Sequence, residues 1–146
     1  GGGGPSGYIS VDTFYGAVAT AAADAGAHII NDVSAGRLDP DMLAAIAAMQ
    51  RPLPYIAMHM RGDPMTMQSE ENTTYHGDVA AVVGEELGTR ARGAASAGVE
   101  PWRLWTDPGI GFAKTRDGCW DLLGNLRGVR RALTRTGAGA LATAPM

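Results

Sequence analysis

The sequence predicts an α/β fold built on parallel strands, and three observations predict it. Short β-branched and aromatic runs alternate with stretches of helical apolar spacing, four times over. Each run is separated from the next by a helix-length crossover, which forces neighbouring strands to be parallel. Each run also ends on polar residues followed by loop formers, the edge where parallel α/β proteins hold ligands. This periodicity is equally consistent with an open sheet and with an arc of a closed barrel.

Residues 1–7 read as a flexible glycine-rich lead-in. Tyr8-Ile9-Ser10-Val11 is the first strand and ends at Asp12. A helix opens near Phe14, with Phe14, Val18, Ala21, Ala22 and Ala25 on one face and Gly26 as its stop. His28 to Val33 is the second strand, with Asn31-Asp32 near its end and Ser34-Ala35-Gly36 as a loop. Asp39-Pro40 reads as an N-cap with proline at the first helical position. Met42, Ile46 and Met49 give that helix its face, and Pro52 and Pro54 break it.

Tyr55 to Met60 is the third strand, followed by a long polar loop from Arg61 to His76 without periodicity. Val79, Val82, Val83, Leu87, Ala91 and Ala94 form the next helix face. Gly84 and Gly88 each weaken that helix by about 1 kcal/mol relative to alanine, so packing must hold it. Arg103 to Thr106 is the fourth strand, and Leu122, Leu126, Val129 and Leu133 mark one final helix. Residues 8–135 form a single domain, and the aperiodic tail 136–146 is expected to lack structure.

The length of 146 residues suits one domain, and 45% hydrophobic residues support a buried core. A net charge of −3 gives no electrostatic reason to expect nucleic acid or an anionic membrane as a partner. The lone Cys119 cannot form an internal disulfide. No apolar run approaches the length of a membrane span, and no signal-like leader is present. The chain opens on Gly1 without a methionine, which is expected of an excised piece.

The fourth strand runs into Asp107-Pro108-Gly109-Ile110-Gly111-Phe112-Ala113-Lys114-Thr115, an acid followed by a glycine-punctuated loop. With Asp12, Asn31-Asp32 and the His59-to-Pro64 segment, four strand ends are expected to converge on one site. Lys114-Thr115 is not a P-loop, because Ala113 and Pro108 stand where that motif needs glycine. His28, His59 and His76 lack metal-ligand spacing, and His59 reads as a hydrogen-bonded strand residue. Arg127, Arg130, Arg131 and Arg135 read as the solvated face of the last helix. Asp12 also suits a cap for the first helix, and Asp107 before Pro108 suits turn initiation. Taken together, Asp12, Asn31 and Asp107 offer acceptors and an amide suited to the edge of a planar heterocycle.

Four segments together resemble dihydropteroate synthase: Ile9-Ser10-Val11-Asp12-Thr13; Asn31-Asp32-Val33-Ser34; Met58-His59-Met60-Arg61-Gly62-Asp63-Pro64 with Thr66-Met67-Gln68; and Asp107-Pro108-Gly109-Ile110-Gly111-Phe112. Gly36-Arg37-Leu38-Asp39-Pro40 and Pro101-Trp102-Arg103 look like the plant and algal enzymes, which are fused to a hydroxymethyl-dihydropterin pyrophosphokinase. The resemblance covers residues 8–133 and implies a partial TIM (β/α)8 barrel, matching strands three to six of eight. It implies condensation of 6-hydroxymethyl-7,8-dihydropterin pyrophosphate with para-aminobenzoate, using magnesium, to give dihydropteroate and pyrophosphate.

By the same resemblance, Asp12, Asn31 and Asp107 match pterin-binding polar residues, Val33 and Met58 match apolar walls, and Gly111 matches a close backbone approach. Phe112 matches the aromatic residue beside para-aminobenzoate, and Gln68 matches a glutamine in the loop after the third strand. The family's magnesium-linked asparagine, Ser-Arg-Lys segment and Arg-x-His are not matched in the chain. The expectation is a fragment that is inactive alone and holds no metal ligand. The full-length enzyme is expected to be a homodimer or larger, mitochondrial if plant or algal and otherwise cytoplasmic. A non-catalytic pterin-binding or interaction piece and a pterin-binding methyltransferase domain are the alternatives. The two unpaired edge strands of such an arc are expected to favour self-association.

Overall fold

The computed structural model describes residues 7–137. The lead-in over 1–6 and the tail over 138–146 lie outside the described residues. Four strands, β1 (Ser10–Asp12), β2 (Ile29–Asp32), β3 (Tyr55–Met58) and β4 (Leu104–Asp107), form one sheet in the order β1-β2-β3-β4. All three pairings are parallel. Because strand order never reverses, crossovers of one hand place every helix on the same side of the sheet. That is an arc of a (β/α)8 barrel, not a doubly wound sheet.

The register sorts the two faces of the sheet. Ile30, Tyr55 and Leu104 align and are fully buried under the helices, and Asp32, Ala57 and Thr106 follow in the next such row. Alternation sends Asp12, Asn31, Ile56 and Trp105 to the opposite face in one row, with Met58 and Asp107 in the row beyond. Among the described residues no layer covers that inner face, and Ile29, Asn31, Ile56 and Trp105 stay half-buried.

The helices are α1 (Gly16–Asp24), α2 (Met42–Ala47), α3 (Glu70–Thr73), α4 (Val79–Ser96), α5 (Arg116–Gly124) and α6 (Leu126–Arg135). Helix α4 buries the face expected of it, with Val79, Val83, Leu87, Ala91 and Ala94 inside. Its glycines are explained by contact with α6. A Cβ on Gly84 would lie 2.3 Å from the Val129 carbonyl oxygen, and one on Gly88 would lie 2.2 Å from Thr136 Oγ1. Two small residues four apart let the helix backbones approach, and Val129, Ala132 and Leu133 fill the seam.

Several sequence expectations are corrected. The first helix buries Gly16, Ala19 and Ala23 and leaves Val18 47% exposed. Alanines at five of its nine positions make its true face unreadable from period alone. Asp12 does not cap α1; instead Asp39 Oδ2 accepts from Gly16 N at 2.7 Å. Asp39 Oδ1 also accepts from Asp41 N at 2.9 Å and so caps the turn that leads into α2, although the helix itself starts later than expected, at Met42. The polar loop after β3 contains the one-turn helix α3. Arg103 belongs to a 3-10 turn, Pro101–Arg103, and its buried guanidinium donates to the Ile46 carbonyl at 2.9 Å. The final helix is two helices, because Asn125 leaves helical geometry and caps Gly128 N. Thr136 and Gly137 form a turn that closes α6, where no structure was expected.

Candidate functional site

The carboxyl ends of the four strands lie side by side, and the predicted residues gather there in three groups. Asn31 Nδ2 donates to Asp12 Oδ1 at 2.7 Å, joining the ends of β1 and β2 on the inner face. Among the described residues nothing bonds Asp12 Oδ2 or Asn31 Oδ1, so the pair presents two acceptors outward. A groove of about 270 Å³ lies beside it, lined by Asp12, Thr13, Phe14, Tyr15 and Val33.

The second group is apolar. Met58, Met60 and Ala113 form a small buried cluster, against which Val33, Leu38, Met67 and Phe112 pack. Val33, Met58 and Phe112, expected from three different strand ends, thus share one wall. The third group is the loop after β4. Gln68 Nε2 donates to the Gly111 carbonyl at 2.9 Å. Gly111 has φ +84°, with no atom near its missing Cβ, whereas a Cβ on Gly109 would meet the His59 carbonyl oxygen at 2.1 Å. Within the chain, close backbone approach therefore occurs at Gly109, while the space at Gly111 is open.

Asp107 shares the inner face with Asp12 and Asn31 but bonds to neither, since β3 lies between β2 and β4. Its Oδ1 accepts from Gly109 N at 2.7 Å, so it also initiates the turn. The neighbour of Asn31 in motif and sequence, Asp32, faces the helices. Fully buried, Asp32 accepts from Ser34 N, Ser34 Oγ, Gly36 N and the Tyr55 hydroxyl at 2.6–2.8 Å. Burial first, and then this carboxylate, push the Tyr55 phenol well up. The Asn-Asp pair therefore divides labour: Asn31 lies on the inner face and bonds Asp12, and Asp32 holds the loop.

Sequence reasoning missed a buried polar circuit behind the wall. Lys114, 4% exposed, places Nζ 3.0 Å from His59 Nδ1 and 2.9 Å from the Phe112 carbonyl. His59 Nε2 is 2.9 Å from Glu86 Oε2, and Arg61 binds both Glu86 oxygens. A carboxylate can only accept, so the His59 proton sits on Nε2 and Nδ1 accepts from Lys114. Burial lowers the His59 pKa to about 4 despite Glu86, keeping the ring neutral. Burial likewise lowers Lys114 to about 7. Burial tends to raise Glu86, but hydrogen bonds from His59 and Arg61 outweigh it and hold the carboxyl at about 2. Arg61 also stacks 4.1 Å over the Tyr75 ring, and the Tyr75 hydroxyl donates to the Ala113 carbonyl at 2.9 Å. The available signal was Glu86 and Arg90 at i,i+4 along the edge of the α4 core face.

Among the described residues, no three His, Cys, Asp or Glu side chains converge as a cation cage. Asp12 is bonded to Asn31 and Asp107 to its turn, so the donors present here do not fit a magnesium site by themselves.

Residues 6–142 match the family described as pterin binding enzyme. The chain is 48% identical over 127 residues to the mitochondrial folate synthesis bifunctional protein of Arabidopsis thaliana, covering 87% of this chain and 22% of that protein. It is 40% identical over 123 residues to the dihydropteroate synthase of Synechocystis, covering 84% of this chain and 41% of that one. Among solved structures, the Xanthomonas albilineans dihydropteroate synthase with 4-aminobenzoic acid superposes with a TM-score of 0.72 at 37% identity. That superposition covers 85% of this chain and 41% of the other. The same enzyme in complex with 7,8-dihydropteroate gives a TM-score of 0.70 at 38% identity, over 89% and 44%. The chain thus spans between about a fifth and two fifths of the length of these curated relatives. With motifs, strand order and superposition in agreement, the chain belongs to the pterin binding enzyme family.

Proposed function

We propose that this chain supplies the pterin-holding strand ends of a dihydropteroate synthase. The observation that carries the reading is the Asp12–Asn31 pair with Asp107 on one sheet face, beside the wall of Val33, Met58 and Phe112. A pterin edge carries N–H donors in a plane, and outward carboxylate and amide oxygens are matched acceptors. Met58 and Val33 cover the ring faces, Gly111 borders the ligand with its backbone, and Phe112 lies toward the arylamine. Gln68 acts through Gly111.

In the reaction the para-aminobenzoate nitrogen attacks the pterin methylene as the C–O bond to pyrophosphate breaks, and the amine loses a proton. The residues here bind and orient the pterin for that displacement. Magnesium belongs to this reading by family, and no step is assigned to it here. We further assign residues 8–135 to one pterin-binding unit, the whole enzyme to a homodimer or larger assembly, and its location to the mitochondrion. The name of the Arabidopsis relative supports that location.

The test is calorimetric titration of the full chain, or of a longer enzyme containing it, with 6-hydroxymethyl-7,8-dihydropterin pyrophosphate. Asp107→Ala is expected to weaken binding by about 2 to 5 kcal/mol, because donors on the ligand lose a buried acceptor. Asn31→Ala, which touches no turn, is expected to weaken it as well. Parent-like affinity in both variants removes these residues from the site. A non-catalytic pterin-binding piece is the second reading, favoured by the inner face, where Ile56 and Trp105 have no opposing layer among the described residues. Pterin binding without dihydropteroate formation would select it.

A further inference from the structure

Three consecutive carbonyls in the loop after β4 are each held by a different side chain. Gln68 Nε2 bonds the Gly111 oxygen, Lys114 Nζ bonds the Phe112 oxygen, and the Tyr75 hydroxyl bonds the Ala113 oxygen, all at 2.9 Å. Two of the three come from the segment between β3 and α4, over forty or nearly forty residues away in sequence. The third, Lys114, is itself fixed from β3 by His59. The tethers are also joined to one another. Tyr75 lies under Arg61, Arg61 binds Glu86, Glu86 binds His59, and His59 binds Lys114.

The backbone they hold needs holding. Gly109, Gly111 and Ala113 all have positive φ, and Ala113 does so at +53° with a side chain that disfavours it. A non-glycine residue in that region persists only where its surroundings over-determine it. Between the tethered carbonyls, the Phe112 side chain is half-buried against Met58 and Met60.

We propose that Tyr75, Lys114 and Gln68 are positioning residues. They lock the carbonyls on either side of Phe112 and so set where its ring stands beside the arylamine. This rests on the function proposed above for the choice of ligand, but not for the tether itself. A purely structural role would show up in global stability. A positioning role predicts a local effect that falls more heavily on the arylamine than on the pterin, because the pterin acceptors Asp12 and Asn31 lie on other strands and Asp107 precedes the tethered carbonyls.

The experiment uses the full chain, or the longer enzyme containing it, as Tyr75→Phe, Lys114→Met and the solvent-exposed Gln68→Ala, which spares the core. Hydrogen exchange is read by mass spectrometry without ligand, and 4-aminobenzoate and pterin affinities are read by titration. Each variant is expected to speed exchange across residues 109–115 by about fivefold to tenfold, with β1 and α1 unchanged. Aminobenzoate affinity is expected to fall by about the same factor and pterin affinity by clearly less, and Lys114→Arg is expected to restore part of the aminobenzoate loss. Unchanged exchange over 109–115 in all three variants overturns the proposal. So does faster exchange with parent-like aminobenzoate affinity, or an equal loss for both ligands. If the parent protein binds neither ligand, the proposed function fails, and the exchange result alone decides the tether.

Discussion

Burying a lysine amine should leave a signature in the pH dependence of stability, and Lys114→Met is the perturbation that isolates it. The amine titrates at about 7 in the folded chain against an ordinary value of 10.5, mainly through burial. The folded state therefore disfavours the charged form. That cost is fully present below pH 7 and is relieved as pH rises from about 7 toward 10.5, where the unfolded chain still binds the proton. The limiting slope is about 1.4 kcal/mol per pH unit, so raising the pH from about 6 to about 9 should add about 2.5 kcal/mol of stability. Lys114 is 4% exposed, so solvent screening takes little from this figure. Cys119, Asp107, Arg90, Glu86 and His59 face the amine and titrate or carry charge as well, so the parent-minus-variant difference is the quantity to read. The assay is urea unfolding followed by tryptophan fluorescence, at a concentration where the midpoint no longer depends on concentration. The parent should gain stability over this range and Lys114→Met should gain much less. Identical pH profiles for the two proteins would refute a buried, proton-shedding Lys114.

The α4–α6 seam gives a paired test: Gly84→Ala forces a Cβ toward the Val129 carbonyl and should cost about 1 to 3 kcal/mol in chemical denaturation. Gly93→Ala on the same helix meets nothing within 4 Å and should instead gain about 0.5 to 1 kcal/mol. Asp32→Ala strands the Tyr55 hydroxyl, the Ser34 N–H and hydroxyl, and the Gly36 N–H, and should cost about 3 to 5 kcal/mol by the same measurement. Strands β1 and β4 are open edges among the described residues, so this chain is expected to self-associate in sedimentation velocity as concentration rises. A single monomeric species unfolding cooperatively would count against that expectation.

Short β-branched and aromatic runs bounded by loop formers located all four strands, since those signals are local and steric. The face of α4 was equally legible, because large apolar residues recur at helical spacing between polar ones. Helix α1 was not, because alanine suits either face and only contact with the sheet selects Gly16, Ala19 and Ala23. The break at Asn125 was hidden for a similar reason: Leu122, Val129 and Leu133 keep helical spacing across it.

The sequence by itself determined that Asp12, Asn31 and Asp107 end parallel strands, because alternation and crossover length leave few other arrangements for them. It also determined the family, because four polar-glycine segments stand in order at fixed spacing. Only the tertiary structure decided that Asn31 lies on the inner face of the sheet while Asp32 faces the helices. It alone decided that buried Lys114 and His59 join half-buried Glu86 and Arg61 in one polar chain. Strand pairing register and side-chain burial are set by contacts between residues distant in the chain, and no local spacing encodes them.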